Sequence, residues 1–203
     1  MKKIWKLIVV CLALAAIVGT VSLIADRKAL QEDLIRLHVV ANSDSQKDQE
    51  LKLQVRDEVL RYLQDAMEKL PDAQEAKSFL AKHLQELENH IDGFLKGKGS
   101  DYSVCVSLGK EMFDIREYDT FSLPSGVYES LRITIGQGQG RNWWCVVFPR
   151  LCLPAVSSSF EDTAAGAGFS KSLVPTLQQE KGYEVRFFLL DVLGRIENFF
   201  FHK

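Results

Sequence analysis

The chain has 203 residues, of which 46% are hydrophobic and 26% are charged, with a formal net charge of −2. This length fits one globular domain of ordinary size, and the near-neutral charge argues against a nucleic-acid-binding protein, because affinity for a duplex comes mainly from Lys and Arg on phosphates. A single stretch is hydrophobic enough to span a bilayer, which excludes a polytopic transporter or channel.

The N-terminus combines basic and apolar residues. Lys2, Lys3 and Lys6 precede an apolar run from Leu7 to Ala25, a pattern typical of an export signal or of a single N-terminal membrane anchor. Residues 1–25 are therefore predicted to be a signal peptide or an uncleaved anchor, and the sequence leaves the two open. Both place the rest of the chain outside the cytosol. That part has 22 basic and 27 acidic residues, so we do not expect it to bind anionic lipid through charge alone.

The chain has four cysteines: Cys11, Cys105, Cys145 and Cys152. Cys11 lies inside the apolar segment. Export makes a disulfide between Cys145 and Cys152 possible, and the alternative is that both are small buried hydrophobic residues. A metal site is not expected, since their spacing lacks the two-residue knuckle of zinc ribbons.

The first part of the exported region predicts a strand followed by two helices. Leu34–Ala41 alternates in the manner of a strand, with His38 on its outer face. Ser45 and Asp48 then resemble a capping box. Apolar residues at steps of three and four run from Leu51 to Leu70 and from Ala76 to Leu95. Pro71-Asp72 separates them, and Asp72 with Glu75 can cap the second helix. Such a short turn predicts an antiparallel helical hairpin.

From Gly99 onward the apolar period changes from 3.6 to 2. Strands are predicted at 102–108, 127–135 and 143–148, and the last is expected near the centre of the sheet because it is apolar on both faces. The Gly-rich loop 136–142 is expected to join the last two strands as a long hairpin connection. Residues 154–182, rich in Ser, Ala and Gly, predict a flexible loop, and 183–203 predict a final strand and a tail.

The resulting fold class is α+β: an N-terminal export or anchor helix, one strand, an antiparallel helical hairpin and a mostly antiparallel sheet. Residues 26–153 form the predicted core domain.

Motifs that would carry catalysis are missing from the sequence. It has no nucleophile elbow, zinc-protease helix motif, P-loop or EF-hand loop. Gly136 and Gly138 would need a third glycine at position 141 to form a dinucleotide fingerprint, and that residue is Arg141. His83 and His90 are two helical turns apart, too far to chelate one ion unaided. Neither a catalytic site nor a metal or other cofactor is predicted.

Two segments resemble the stage II sporulation protein R family. The first is Leu34–Ser45 (LIRLHVVANSDS) with its continuation to Asp57. The second is Leu123–Gly136, followed by Asn142–Pro149 and Cys152. The similarity covers residues 30–153 and, more weakly, 183–190. It departs from the family at Arg150, where a second proline is common, and in the tail after Asp191.

The resemblance implies a signal rather than an enzyme. Members of this family are exported from the forespore into the space between two membranes, where they activate a membrane-embedded aspartic peptidase that processes pro-sigma-E. For this chain, the resemblance implies two partners: that peptidase and, through the N-terminal segment, the membrane. It implies no nucleic-acid partner and no small-molecule substrate. The alternatives are an exported sporulation cell-wall hydrolase and a structural protein of the intermembrane space.

Two groups of residues are candidates for partner contact. One group surrounds the first strand and its turn, and its residues could instead form a polar network that fixes the turn. The other group surrounds the Gly-rich loop, and its tryptophans could instead pack in the core. The candidates are Arg36, His38, Asn42, Asp44, Tyr128, Arg132, Arg141, Asn142, Trp143 and Trp144.

Overall fold

The computed structural model describes residues 2–118, 121–149, 173–178 and 185–201. Within them, five helices and six strands follow one another along the chain. They are α1 (Lys2–Glu32), β1 (Ile35–Val40), α2 (Gln46–Lys69), α3 (Ala73–Gly97), β2 (Val104–Phe113), β3 (Arg116–Glu117), β4 (Ser122–Leu123), β5 (Gly126–Ile135), β6 (Asn142–Phe148), α4 (Leu173–Leu177) and α5 (Val185–Phe201).

Four strands form one mixed sheet in the order β2-β5-β1-β6. β1 runs parallel to β5 and antiparallel to β6, and β2 runs antiparallel to β5. β3 and β4 form a separate two-stranded ribbon. The predicted α+β class, with a mostly antiparallel sheet, is confirmed.

The position of β6 corrects two predictions. β5 and β6 do not form a hairpin, because β1 lies between them and pairs with both. In the part of the chain that the structure describes, β6 is at an edge of the sheet and not at its centre. Its apolar character on both faces arises because a helical layer covers each face, so even an outer strand is buried at Cys145, Val146 and Val147.

The helices α2 and α3 cover one face of the sheet. Their first turns are capped as predicted: Ser45 Oγ accepts a hydrogen bond from Asp48 N at 3.2 Å, and Asp72 Oδ1 accepts one from Glu75 N at 2.8 Å. Their apolar stripes pack on the side of β1 that carries Ile35, Leu37 and Val39. The largest fully buried contributors from helices and sheet include Val55, Val59, Leu63, Leu80, Leu87, Ile91, Leu131 and Ile133.

The opposite face of the sheet is also covered. The end of α1 and the helices α4 and α5 pack there, on a second apolar cluster that includes Leu30, Leu34, Phe113, Leu123, Tyr128, Val146, Leu177, Phe187 and Leu190. His38, expected on an outer face, is therefore buried beneath this layer.

The final strand predicted within 183–203 is wrong: residues 185–201 form the helix α5. Alternating apolar residues at 185, 187 and 189 favoured a strand, but the buried positions Phe187, Leu190, Asp191 and Gly194 recur at helical steps of three and four. The predicted flexible loop 154–182 contains the short helix α4, and its remaining parts, 154–172 and 179–182, lie outside the described residues.

The helix α1 is longer than the predicted segment 1–25. Its most apolar stretch has a mean hydropathy of 2.9 and is not buried in the domain. The helix α1 is therefore long and apolar enough to cross a membrane. It fits a signal segment or a transmembrane anchor. From Asp26 to Glu32 the same helix enters the domain, where Leu30 is 2% exposed.

Candidate functional site

Two loops that are far apart in sequence form one surface, which we call the loop pair: residues 41–45 after β1 and residues 136–142 between β5 and β6. Backbone bonds join them, from Gly140 N to Ala41 O at 2.9 Å and from Gln139 N to Asn42 O at 3.1 Å. The side chain of Asn42 adds a third bond, because its Oδ1 accepts from Gln137 N at 3.0 Å. The two loops are therefore one hydrogen-bonded unit.

Asp48 anchors the loop pair to the first turn of α2. Its carboxylate accepts hydrogen bonds from Asn42 Nδ2 at 2.9 Å and from Ser43 Oγ at 2.6 Å. These two bonds lower the pKa of Asp48 below its ordinary value. The carboxylate at the helix N-terminus, which the sequence identified only as a cap, thus also fixes the turn before it.

Glycine is required at three points of the loop pair. Gly136 and Gly138 have φ angles of 57° and 62°, which side-chain-bearing residues rarely adopt. A Cβ at Gly140 would lie 2.2 Å from the backbone oxygen of Ser43. The G-x-G-x-G run therefore serves loop packing, as its place between two strands indicates, and not phosphate binding.

The outer rim of the loop pair is polar and exposed. Arg141 N donates to Asp44 Oδ1 at 2.6 Å, and the Arg141 and Asp44 side chains are 73% and 62% exposed. Beneath them, Lys52 Nζ donates to Arg141 O at 2.9 Å. Burial, and then the nearby Arg141 guanidinium, lower the pKa of Lys52. Asn142 is also exposed, so the rim presents a cation, an anion and an amide on a fixed backbone.

The two tryptophans lie on opposite faces of β6, and both are half-buried. The guanidinium of Arg56 lies over the ring of Trp143, 4.3 Å from the ring centroid. The ring of Trp144 stacks on His38 with centroids 3.8 Å apart. Most of the surface of each ring is therefore covered by packing within the domain, which is the alternative that the sequence analysis gave for these tryptophans.

A half-buried polar cluster of Glu111, His38 and Arg132 lies on the other face of the sheet. Glu111 joins His38 and Arg132: its Oε2 is 3.0 Å from His38 Nδ1, and its Oε1 accepts from Arg132 Nη1 at 2.8 Å. Burial by itself would raise the pKa of Glu111, but the bonds to His38 and Arg132 lower it to about 2. The carboxylate is therefore ionised and structural.

Arg36 is fully buried in the same region. Its guanidinium lies 4.0 Å from the centroid of the Phe113 ring and 5.1 Å from that of Tyr128, and its Nη2 donates to Tyr118 Oη at 2.9 Å. Aromatic faces attract a desolvated cation through their quadrupoles, which lets the sheet hold this charge without a carboxylate partner among the described residues.

The structure thus separates the predicted contact residues. Asn42, Asp44, Arg141 and Asn142 come together on the loop pair. A second set lies within or beside the half-buried polar cluster: Arg36, His38 and Tyr128 are buried, the side chain of Arg132 is 41% exposed, and that of Trp144 is half-buried. Trp143 packs on the α2 side.

Sequence reasoning missed two residues in this framework, Glu111 and Lys52. Each is a single charged residue in a strand or helix pattern, where a solvated side chain is the ordinary interpretation. The register that sets Glu111 opposite Tyr128 depends on strand pairing that no local pattern reveals.

Cys145 is disulfide-bonded and 3% exposed, whereas Cys11 and Cys105 are free. Cys152, the partner expected from the sequence, lies outside the described residues, so the pairing stays a prediction.

We expect Cys152→Ser to lower the free energy of unfolding by about 2–3 kcal/mol under oxidising conditions, the amount calculated for closing a loop of this size in the unfolded chain. In excess reductant, the variant and the parent should unfold alike. Urea unfolding with and without dithiothreitol measures this. An identical midpoint for variant and parent in both conditions would exclude the pairing.

No group of three His, Cys, Asp or Glu residues that could hold a metal ion occurs within the residues that the structure describes. What the described residues define is an α+β domain, attached to a helix that is able to span a membrane, with a rigid polar loop pair on its surface.

Comparison with known proteins identifies the family. The family model for Stage II sporulation protein R matches residues 31–158, more than half of the chain. The chain is also 31% identical over 181 residues to Stage II sporulation protein R of Bacillus subtilis (strain 168), with 80% of each chain covered. The chain therefore belongs to the stage II sporulation protein R family. No solved structure matches it significantly.

Proposed function

We propose that this protein is a non-enzymatic signal of endospore formation. In this proposal it is exported from the forespore into the space between the two membranes, where it activates a membrane-embedded aspartic peptidase that processes pro-sigma-E. The observation that carries the proposal is the family match over residues 31–158, which includes the whole sheet, the helical hairpin and the loop pair. The apolar helix α1 supports export, since its basic end precedes a long apolar run.

The loop pair is the surface we assign to the peptidase. Its backbone is fixed by bonds between the loops and by Asp48, so binding would order little additional chain. Its exposed Arg141, Asp44 and Asn142 can form directional bonds with a partner. Arginine is among the residues that most often dominate the energy of such contacts.

Activation would operate by a population shift. The domain would bind the active arrangement of the peptidase more tightly than the inactive one and thereby increase its share. Converting a 1:99 population into a 99:1 population requires a preference of about 10⁴-fold, or about 5.5 kcal/mol. A few well-placed contacts on a rigid surface are sufficient for this difference.

We expect Arg141→Ala and Asn142→Ala to reduce processing of pro-sigma-E by about ten-fold or more each, equivalent to about 1.4 kcal/mol of lost contact. Their thermal unfolding should remain that of the parent, because both side chains are exposed. The measurement is processing in non-sporulating cells that express this protein, the peptidase and pro-sigma-E.

Lys82→Ala, at an exposed position on α3, is the matched control and should process normally. A chain that lacks residues 1–25 tests the need for export and should give no processing. Full activity of both loop-pair variants would remove the loop pair as the contact. Wall degradation by the purified protein would favour the hydrolase instead.

A further inference from the structure

The helix α5 carries apolar residues on both of its sides. Its buried side has Phe187 and Leu190 together with the polar Asp191, and its outward side has exposed apolar residues. An ordinary surface helix of a soluble domain has a polar outward side. The exposed apolar residues, with their exposed fractions, are Phe188 (45%), Leu189 (38%), Ile196 (50%), Phe199 (62%), Phe200 (66%) and Phe201 (49%).

The polar residues of α5 explain its orientation. Asp191 accepts from Ser125 N at 2.9 Å and from Arg195 Nε at 2.8 Å. Burial by itself would raise the pKa of Asp191, but the Ser125 and Arg195 bonds lower it. Gly194 adjoins the backbone of Ser125 so closely that no side chain fits between them. These contacts fix which side faces the sheet, so the apolar side is held outward.

The outward residues form one continuous stripe. With 100° per residue, positions 188, 189, 192, 196, 199 and 200 lie within about a third of the helix circumference. From Phe188 to Phe200 the stripe is roughly 18 Å long at 1.5 Å per residue. Contiguous exposed apolar surface of this kind marks an interaction site.

The position of α5 beside α1 identifies the occupant. Glu197 accepts from Arg27 Nη2 at 2.6 Å and from Gln31 Nε2 at 2.7 Å. The apolar run of α1 ends at Ala25, two residues before Arg27. Phe200 follows Glu197 by three residues, or roughly 5 Å along the helix axis. The contacts of Glu197 therefore place the C-terminal end of the stripe near the point where the apolar run of α1 ends.

We propose that the apolar stripe of α5 inserts into the interfacial layer of the membrane that α1 crosses, as a second, monotopic contact. Helices that lie in this layer carry Phe, Leu and Trp on their apolar face, which is typically buried 5–10 Å into it. Because the exported part has an excess of acidic residues, the binding depends on apolar insertion and does not require anionic lipid. The domain is thereby held against the membrane surface. This inference does not rest on the proposed function.

The test uses the full chain in phosphatidylcholine bilayers. Cys11 and Cys105 are replaced by serine, and a nitroxide is attached at Ile196→Cys, at Phe200→Cys or at the control position Glu86→Cys on the exposed side of α3. The ratio of collision rates with oxygen and with a water-soluble nickel chelate measures insertion into lipid.

We expect this ratio to be several-fold higher at positions 196 and 200 than at position 86. Nickel access at 196 and 200 equal to that at 86 would overturn the proposal. Exclusion of both reagents together with spin–spin broadening, relieved by dilution with unlabelled protein, would also overturn it, because a second copy would then cover the stripe. The positions are exposed, so folding should be retained, and circular dichroism of each variant checks this.

Discussion

Replacing Gly194 with alanine is expected to lower the free energy of unfolding by about 3 kcal/mol or more. A Cβ at this position would lie 1.6 Å from the backbone oxygen of Ser125 and 2.3 Å from its carbonyl carbon. Both are backbone atoms at the turn before β5 and cannot rotate away. α5 would have to move off the sheet, which also weakens the Asp191 bond to Ser125 and the Glu197 bonds to α1.

The matched control for this variant is Gly93→Ala. Gly93 lies within the helix α3, and a Cβ there meets nothing within 4 Å. Alanine is favoured over glycine in a helix by up to about 1 kcal/mol, so the control should be neutral or slightly more stable. Urea unfolding of the solubilised full chain gives both values. Equal stability of the two variants would contradict the packing of α5 against the sheet.

Replacing Glu111 with glutamine is expected to cost about 2–3 kcal/mol at neutral pH, because a half-buried ionic and hydrogen-bonded pairing loses its anionic partner. The Glu111 side chain is 20% exposed and lies between His38 and Arg132. A neutral amide cannot compensate the Arg132 charge, and it has one acceptor oxygen where the carboxylate has two.

The same substitution has a defined pH dependence. The folded-state pKa of Glu111 is about 2, below the ordinary 4.5, so its stabilising contribution is complete above about pH 4.5 and is lost as the pH falls toward 2. At 1.36 kcal/mol per unit this contribution is at most about 3 kcal/mol. The difference in unfolding free energy between the parent and Glu111→Gln should therefore shrink in that window.

The corresponding control is Glu86→Gln, at an exposed position on α3. Its stability should follow that of the parent at every pH. A difference between parent and Glu111→Gln that is constant from pH 6 to pH 3 would show that the Glu111 carboxylate does not stabilise the fold through its charge.

Local patterns predicted local structure well in this chain. The caps at Ser45 and Asp72 were found from sequence because a cap depends on residues only three positions apart. The helical hairpin followed from two apolar stripes of similar length, and β1 from alternation in Leu34–Ala41. Each of these features is determined within about 25 residues of chain.

The features that the sequence did not reveal are non-local. The insertion of β1 between β5 and β6 depends on pairing between residues that are far apart in the chain, such as Ile35 with Glu129 and Ile35 with Phe148. Phe187 and Leu189 alternate as in a strand, and the apolar residues on both sides of α5 leave no single helical stripe in the sequence. Only the contact with Ser125 explains why Asp191 is buried.

The loop pair combines local features that the sequence predicts with a non-local contact that it does not. The Gly-rich run and the Asn-Ser-Asp turn stood out individually as turns, and the sequence identified Asn42, Asp44, Arg141 and Asn142 as candidates. That the turns bond to each other follows from the insertion of β1, which brings the end of one strand beside the start of another. Asp48 and Lys52 then stabilise the contact from α2.

The most direct test of the central claim is a reconstituted reaction with purified components. Proteoliposomes would contain the aspartic peptidase, with pro-sigma-E available to its active site and this protein added in the same membrane. We expect cleavage only when both the peptidase and this protein are present, and none when the peptidase's catalytic aspartates are replaced. Cleavage of pro-sigma-E by this protein alone, or an unchanged rate of cleavage when it is omitted, would show that this protein is not a non-enzymatic signal to the peptidase.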